Sequence, residues 1–268
     1  MKLNVFFDQN PIFTVDQIDR FLSQKSPAKT STRNSLLAYH RKNGRIITVR
    51  RGVYWVVPKG ISPESCPVDP FLLAAQLTPD AVLAYHTALE FYGKGYSVFE
   101  RFFYLSSQIS TPVRFRSYAF QSVVTPKSLK RKNNENYGVI KSERSGVEVR
   151  VTSFERTFVD VLDRPGLCGS WEEIWRSLES IEFFDLDRVI EYTRLLENAT
   201  TASKVGFFLE QHRETLMVDN HYLKELQSLC PKQPHYLERQ KRKPGRLVSN
   251  WNLIVPCSII NRSWAEVI

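Results

Sequence analysis

Residues 30–58 read TSTRNSLLAYHRKNGRIITVRRGVYWVVP, and this stretch decides the fold of the N-terminal part of the chain. Its first half predicts a helix from about Thr30 or Ser31 to Asn43. The apolar residues of this helix are Leu36 and Leu37, with Tyr39 and His40 as further candidates. Gly44 follows directly, and glycine is the residue most suited to the left-handed backbone that ends a helix.

The second half of the stretch predicts a β-hairpin. Two runs rich in β-branched and aromatic residues flank a turn at Arg50-Arg51-Gly52. The hairpin would therefore carry positive charge at its tip.

A shorter helix is predicted before this stretch, in the segment that begins at Phe13. Val15, Ile18, Phe21 and Leu22 recur at helical spacing, and Thr14 can accept hydrogen bonds from the amides of the first turn. A polar break from Ser23 to Lys29 contains Pro27, which ends the helix. Helix, short turn, basic helix and basic hairpin within 60 residues are typical of a winged helix-turn-helix.

The net charge of the chain is concentrated in the same segment. Residues 1–60 hold 11 Lys or Arg and three Asp, which is +8 of the whole-chain +9. A positive field on a small module beside a nearly neutral remainder predicts a polyanionic partner, and the helix-turn-helix pattern narrows that partner to duplex DNA.

Basic and polar side chains that the apolar face does not need are the candidate DNA contacts. On the second helix they resemble donors that meet base edges and phosphates in a major groove, and hydroxyls at its start can contact phosphate or the free helix amides. The predicted DNA-binding residues are Lys29, Thr30, Ser31, Thr32, Arg33, Asn34, Arg41, Lys42, Arg45, Arg50 and Arg51.

The rest of the chain predicts a larger α+β domain with strands first and helices after. The expected organisation is a winged helix-turn-helix domain at 1–60, a linker at 61–69 rich in proline, and the α+β domain at 70–268. Helices are expected at 69–77 and 81–92, then strands up to Thr152, then helices from Phe154 to Leu229.

Two further basic clusters, at 127–132 and 239–243, are expected to be loops that either face solvent or add to a nucleic-acid surface. Four widely spaced cysteines form no metal motif, which indicates reduced thiols. No secretory segment or membrane span is recognised, so a cytoplasmic location is expected.

Catalytic signatures are weak. Gly169-Ser170 with Asp185 and Asp187 is faintly similar to a nucleotidyltransferase, in which paired carboxylates hold magnesium. Here both aspartates fall at the start of a predicted helix, where acidic residues are favoured for capping. His40 and His86 have no matching nucleophile, so no catalytic residue, metal or cofactor is predicted.

Several motifs in order resemble AbiEi-type antitoxins, the transcriptional regulators of type IV, abortive-infection toxin–antitoxin systems. The resembling segments, which together reach from about Phe13 to Glu266, are Phe13-Thr14, Arg51–Tyr54, Ala84–Leu89, Val151–Asp163, Trp251–Pro256 and Trp264–Glu266. One departure is that the family often has an extra helix before Phe13, whereas here the segment Met1 to Asn10 is short, so the first helix is expected to be a stub.

The resemblance implies a non-enzymatic antitoxin with two tasks. Its winged domain would bind inverted repeats in its own promoter and repress the operon. Its C-terminal domain would counteract a nucleotidyltransferase-type toxin without requiring a stable complex. Two alternatives stay open: a ligand-responsive transcription factor without a toxin partner, and a degenerate nucleotidyltransferase enzyme.

Overall fold

The computed structural model describes residues 2–23, 29–238 and 244–264. The chain has a mixed α+β fold, and it divides into two compact units. The first unit comprises Met1–Leu83, Glu100–Val123 and Lys141–Arg150, and the second comprises Ala84–Phe99, Val124–Ile140 and Val151–Ile268.

Helices and strands alternate irregularly along the described residues. The helices are α1 (Lys2–Gln9), α2 (Val15–Leu22), α3 (Thr30–Lys42), α4 (Pro70–Gln76), α5 (His86–Phe91), α6 (Lys127–Arg131), α7 (Phe154–Asp163), α8 (Trp171–Glu179), α9 (Leu186–Leu196), α10 (Ala199–Gln211), α11 (Asn220–Leu229) and α12 (Cys257–Ile260). The strands are β1 (Ile12–Thr14), β2 (Ile46–Arg50), β3 (Val53–Val56), β4 (Val82–Leu83), β5 (Arg101–Ser106), β6 (Val113–Phe115), β7 (Tyr118–Val124), β8 (Val139–Arg144), β9 (Val147–Thr152), β10 (His235–Tyr236), β11 (Arg246–Val248) and β12 (Leu253–Val255).

The N-terminal elements follow the order α1-β1-α2-α3-β2-β3. Strand β3 is central in a three-stranded antiparallel sheet, where Trp55 pairs with Ile12 of β1 on one side and with Ile47 of β2 on the other. The predicted helices at 15–22 and from Thr30, and the predicted hairpin, are confirmed.

Local capping explains where α2 begins and where α3 ends. The Thr14 hydroxyl accepts from the Gln17 amide at 3.3 Å, while the Gln17 side chain accepts from the Thr14 amide at 2.7 Å, which is a capping box. Gly44 follows Asn43, the C-cap of α3, with φ of +68°. The break expected at 23–29 falls largely on residues 24–28, which lie outside the described residues.

The elements from α1 to β3 form the N-terminal module, and aromatic side chains fill its core. Phe6 and Phe7 of α1 are buried with Phe13, Ile18 and Leu37, and the ring centroids of Phe6 and Phe13 are 5.3 Å apart. The N-terminal segment therefore contributes eight helical residues and two buried rings to this core. The expected stub is the eight-residue helix α1, which packs in the core.

A six-stranded sheet follows, in the order β6-β7-β5-β4-β9-β8. The strands expected up to Thr152 are confirmed. The helix expected at 81–92 is wrong in its first half, because Val82 and Leu83 form β4 and pair with Leu105 and Tyr104 of β5. A short run buried on every side carries no periodicity that separates strand from helix.

Segment 61–69, which was expected to be a linker, lies inside the first unit. Arg116 donates to the carbonyl of Cys66 and, at 2.7 Å, to that of Pro63. The side chain of Cys66 is completely buried. The first unit therefore continues past the predicted domain boundary.

The second unit is mainly helical, and polar caps begin most of its long helices. The caps are Ser153 for α7, Ser170 for α8, Asp185 for α9 and Asn198 for α10. The indole of Trp251 is fully buried against Gly206 of α10, where a Cβ atom would lie 2.0 Å from the ring. Glycine at this position allows the indole to lie directly on the helix.

Two features of the second unit correct the predicted order of strands first and helices after. Strands β10, β12 and β11 form a third sheet after the helices, with β10 parallel to β12. The basic cluster at 127–132 is not a loop, because its residues form α6, whose Leu129 is completely buried.

No helix among the described residues is long and apolar enough to cross a membrane.

All four cysteines are free: Cys66 and Cys168 are buried, Cys230 is half-buried and Cys257 is exposed.

Candidate nucleic-acid interface

Helix α3 exposes a polar and cationic face. Leu37 is buried in the core, whereas most of the predicted contacts on this helix are open to solvent. The exposed residues of the predicted set on and before this helix are Lys29, Thr30, Ser31, Thr32, Asn34, Arg41 and Lys42. Arg41 and Lys42 lie in the last turn, where positive charge interacts favourably with the helix C-terminus.

Among the described residues, no side chain caps the first turn of α3. Lys29 is the N-cap and makes no side-chain capping bond. Within the described part of the chain, the hydroxyls of Thr30, Ser31 and Thr32 have no hydrogen-bond partner. Backbone amides at an uncapped helix start can donate to phosphate oxygens.

Arg33 is held by two neighbours rather than pointing freely into solvent. Its Nη1 donates to Asp19 Oδ2 of α2 at 2.6 Å, and its Nε and Nη2 both donate to Asn34 Oδ1 at 3.1 Å. Only 17% of the Arg33 side chain is exposed. The ion pair links α2 to α3, and the same guanidinium occupies the oxygen of the Asn34 carboxamide.

The side chain of Arg45 is mostly buried and makes contacts within the protein. It donates to the carbonyl of Val57 and to Asp8 Oδ1 at 2.9 Å, and its guanidinium lies 5.8 Å from the centre of the Phe7 ring. Its side chain is 14% exposed. Burial, together with the positive charge of Arg45, lowers the pKa of His40 below its ordinary value of 6.5.

The two arginines of the hairpin turn differ in exposure and in the contacts of their side chains. Arg50 donates to the carbonyl of Leu77 and is half-buried. Arg51 is exposed and has no ion pair or hydrogen bond from its side chain within the described ranges. The turn itself is fixed, because the Val15 amide of α2 donates to the Gly52 carbonyl at 2.9 Å.

A small notch opens beside α3. It has a volume of about 170 Å³ and is lined by Asn34, Leu37, Ala38, Arg41 and Tyr54. The Tyr54 ring is stacked on Phe13, with centroids 5.4 Å apart, so the wall contributed by β3 is held in place by the core.

The eleven predicted residues thus fall into two groups. Arg33, Arg45 and Arg50 make contacts within the N-terminal module or the first unit, and the other eight are exposed. Sequence reasoning missed Asp19, Ala38 and Tyr54, which position or line this surface. The single available signal was the helical spacing of Asn34, Ala38 and Arg41, which places them on one face of α3.

The basic cluster at 127–132 is partly neutralised. Lys132 Nζ lies 2.7 Å from Glu197 Oε1, and Arg131 pairs with the same carboxylate. A polar groove of about 340 Å³ runs between α6 and the ends of α7 and α9. The cluster at 239–243 lies outside the described residues.

The weak catalytic candidates have structural partners. Asp185 caps α9 by accepting from the Arg188 amide at 3.2 Å, as predicted, and Asp187 accepts from the Tyr222 hydroxyl at 3.0 Å. Ser170 caps α8. His86 is buried, with its two ring nitrogens 2.8 Å from Glu90 Oε1 and 2.9 Å from Glu173 Oε1.

The segment Val151–Asp163, which carries part of the resemblance, contains a buried polar network. Arg156 is completely buried and donates to the carbonyls of Glu135 and Tyr137 at 2.8 and 2.6 Å. Burial raises the pKa of Tyr192 far above its ordinary value, so its hydroxyl stays protonated and donates to Asp160 at 2.6 Å. These contacts are those of a structural core.

Across residues 2–23, 29–238 and 244–264, no three His, Cys, Asp or Glu side chains are grouped so that they could hold a metal ion.

Comparison with protein-family models gives no match, and comparison with curated proteins gives none either. Among solved structures, the chain is similar to the RV2827C protein from Mycobacterium tuberculosis, with a TM-score of 0.62 and 14% sequence identity. The similarity covers 99% of this chain and 94% of that chain. At this level of identity the similarity concerns the fold alone, and the chain has the same fold as the RV2827C protein.

Proposed function

We propose that the N-terminal module is a winged helix-turn-helix that binds duplex DNA. The observation that carries this proposal is the exposed cationic face of α3, within a module whose elements run α1-β1-α2-α3-β2-β3. The excess charge of +8 in residues 1–60 supplies the attraction to a polyanion.

In this proposal the groups have separate roles. Helix α3 enters the major groove and presents Asn34 and Arg41 to base edges, while Lys42 meets a neighbouring phosphate. The first turn of α3 and the exposed Arg51 contact phosphates. Arg33, Arg45 and Arg50 support these groups through their intramolecular contacts.

We further propose that the protein is a cytoplasmic antitoxin that represses its own operon through inverted repeats. The remainder of the chain would counteract a nucleotidyltransferase-type toxin, without a stable complex being required. The support for this part is the ordered resemblance to AbiEi-type antitoxins from Phe13 to Glu266. The proposal requires neither a cofactor nor a catalytic residue of this chain.

A repression assay tests the DNA-binding half of the proposal. A reporter gene is placed behind the promoter of the protein's own gene, and the protein is supplied from an independent promoter. We expect repression by the wild type and its loss in an Arg41→Glu/Lys42→Glu variant, because both side chains are exposed and their replacement leaves the core intact. Equal repression by both proteins would refute a role for α3.

The antitoxin half is tested separately by growth. A nucleotidyltransferase encoded next to this gene is expressed from an inducible promoter, with or without the protein. Rescue of growth supports the antitoxin, and an absence of such a gene or of rescue favours a ligand-responsive transcription factor. Transfer of labelled nucleotide to RNA by the protein alone, with magnesium, would instead support the enzyme.

A further inference from the structure

The exposed Asn34 carboxamide is hydrogen-bonded through its oxygen to the neighbouring Arg33. The Nε and Nη2 atoms of Arg33 both lie 3.1 Å from Asn34 Oδ1, and guanidinium nitrogens can only donate. Asp19 holds the same guanidinium from the other side at 2.6 Å. The carboxamide oxygen is therefore occupied, whereas the Asn34 NH₂ group has no hydrogen-bond partner among residues 2–23, 29–238 and 244–264.

This hydrogen bonding changes which base Asn34 can recognise. An unrestrained asparagine pairs with adenine by accepting from N6 and donating to N7. Here the two lone pairs of Oδ1 already receive two N–H groups, so the acceptor half of that pairing is lost. Asn34 can still donate to an acceptor.

Arg41, the cationic side chain of the notch, is also a donor. Arg41 lies seven residues after Asn34 on the same exposed face of α3, and both line the notch of about 170 Å³. The Arg41 guanidinium has no ion pair or hydrogen bond within the described part of the chain, and it cannot accept. Leu37 and Ala38 add apolar atoms to the lining, and the Tyr54 hydroxyl can donate as well as accept.

We propose that this notch reads guanine in the major groove, and that Arg33 with Asp19 sets the preference by occupying the acceptor of Asn34. Guanine is the base that presents two adjacent acceptors, N7 and O6, on its major-groove edge. Adenine places a donor next to its acceptor, and cytosine presents a donor. The inference rests on the proposed binding of duplex DNA and names the base specificity of that site. Arg33 acts in it as a positioning residue for Asn34.

The test begins with selection of duplexes from a randomised library by the full-length protein. The position that depends on Asn34 is identified as the base pair at which the Asn34→Asp variant loses its discrimination. Asn43→Asp is the matched control, because Asn43 is exposed on the same module, carries the same charge change and lies outside the notch.

Modified bases at that position then test whether donors of the protein bind the N7 and O6 acceptors of guanine. We expect wild-type affinity to fall about tenfold or more when guanine is replaced by 7-deazaguanine or by adenine. Inosine keeps N7 and O6 and lacks only the minor-groove amine, so it should bind as guanine does. Equal affinity for guanine and adenine would overturn the inference.

The Arg33→Ala variant tests the positioning role. With Oδ1 released, the carboxamide can pair with adenine, and the preference for guanine over adenine should fall toward unity. A purely structural role for Arg33 would weaken both duplexes equally and keep the preference, which would overturn this assignment. If no duplex is enriched at all, the proposed DNA binding fails; if duplexes are enriched with adenine at the Asn34 position, the inference alone fails.

Discussion

Two arginines that sequence reasoning treated alike should behave in opposite ways when each is replaced by methionine. Arg45 is 14% exposed and donates to the Val57 carbonyl and to Asp8, whereas Arg51 is exposed and unpaired within the described residues. Methionine removes the charge in both cases and keeps an unbranched side chain. The pair therefore separates a structural arginine from a DNA-contacting one.

The expected magnitudes follow from these environments. Loss of the part-buried hydrogen bond to the Val57 carbonyl should lower the free energy of unfolding of Arg45→Met by roughly 1.5–3 kcal/mol, because hydrogen bonds from charged groups contribute about that much. The exposed Asp8 partner adds little. Arg51→Met should change stability by less than about 0.5 kcal/mol, but it should remove one phosphate contact and reduce the log–log salt slope by about 0.9.

Urea denaturation followed by circular dichroism measures the first effect, and fluorescence anisotropy with one fixed duplex between about 50 and 200 mM salt measures the second. In the absence of urea, where the Arg45→Met variant is folded, its slope of log affinity against log salt should equal that of the wild type. A normal stability for Arg45→Met together with a reduced salt slope would refute the structural assignment. Reduced stability with an unchanged slope for Arg51→Met would refute the DNA assignment.

Further predictions concern the second unit. Gly206→Ala should destabilise the protein by about 2–4 kcal/mol, since the new Cβ would lie 2.0 Å from the Trp251 ring. In a Trp251→Ala background the same change should be neutral or stabilising by up to about 1 kcal/mol, and equal costs in both backgrounds in thermal denaturation would contradict the packing. Burial lowers the pKa of Lys204, whose Nζ donates to the Leu162 carbonyl at 2.9 Å, to about 8. The unfolded state therefore binds more protons than the folded state between pH 8 and about 10.4, and stability relative to Lys204→Met should rise by about 2–3 kcal/mol across that window. A difference that stays constant from pH 7 to about 10.5 in urea titrations would show that Lys204 is not desolvated.

Local signals made helices α2 and α3 and the β2–β3 hairpin predictable, whereas α1 was expected only as a stub and β1 was not predicted. The capping box at Thr14 and the glycine after Asn43 act within a few residues, so the sequence pattern contains the reason for the start of α2 and the end of α3. The turn at Arg51-Gly52 is equally local. Net charge likewise depends on composition and needs no structure.

Long-range pairing was not predictable in the same way. Val82 and Leu83 form a strand because β5 is available to pair with them, and Tyr85 then adopts φ of +59° before α5 begins. The third sheet joins His235 to Leu253 through strands of two or three residues. Neither has a periodic pattern long enough to distinguish it from a loop or a helix.

The same limit applies to the candidate interface. Basic residues on α3 were identified from their spacing. The partner of Arg45, which follows α3, could not be identified in this way, because Asp8 lies 37 positions away in the sequence. Arg33 and Asp19 meet because α2 packs against α3, and the sequence does not fix that crossing. Contacts of this kind decide which arginines remain free for a ligand.

The salt dependence of duplex binding by the full-length protein tests the central claim most directly. Contact with four to six phosphates per module predicts a slope of log affinity against log salt of roughly −4 to −5. The Arg41→Glu/Lys42→Glu variant, with a circular dichroism spectrum that matches the wild type, should lose most of this binding. Affinity that does not change between about 50 and 200 mM salt, or a variant that binds as tightly as the wild type, would contradict DNA binding through α3.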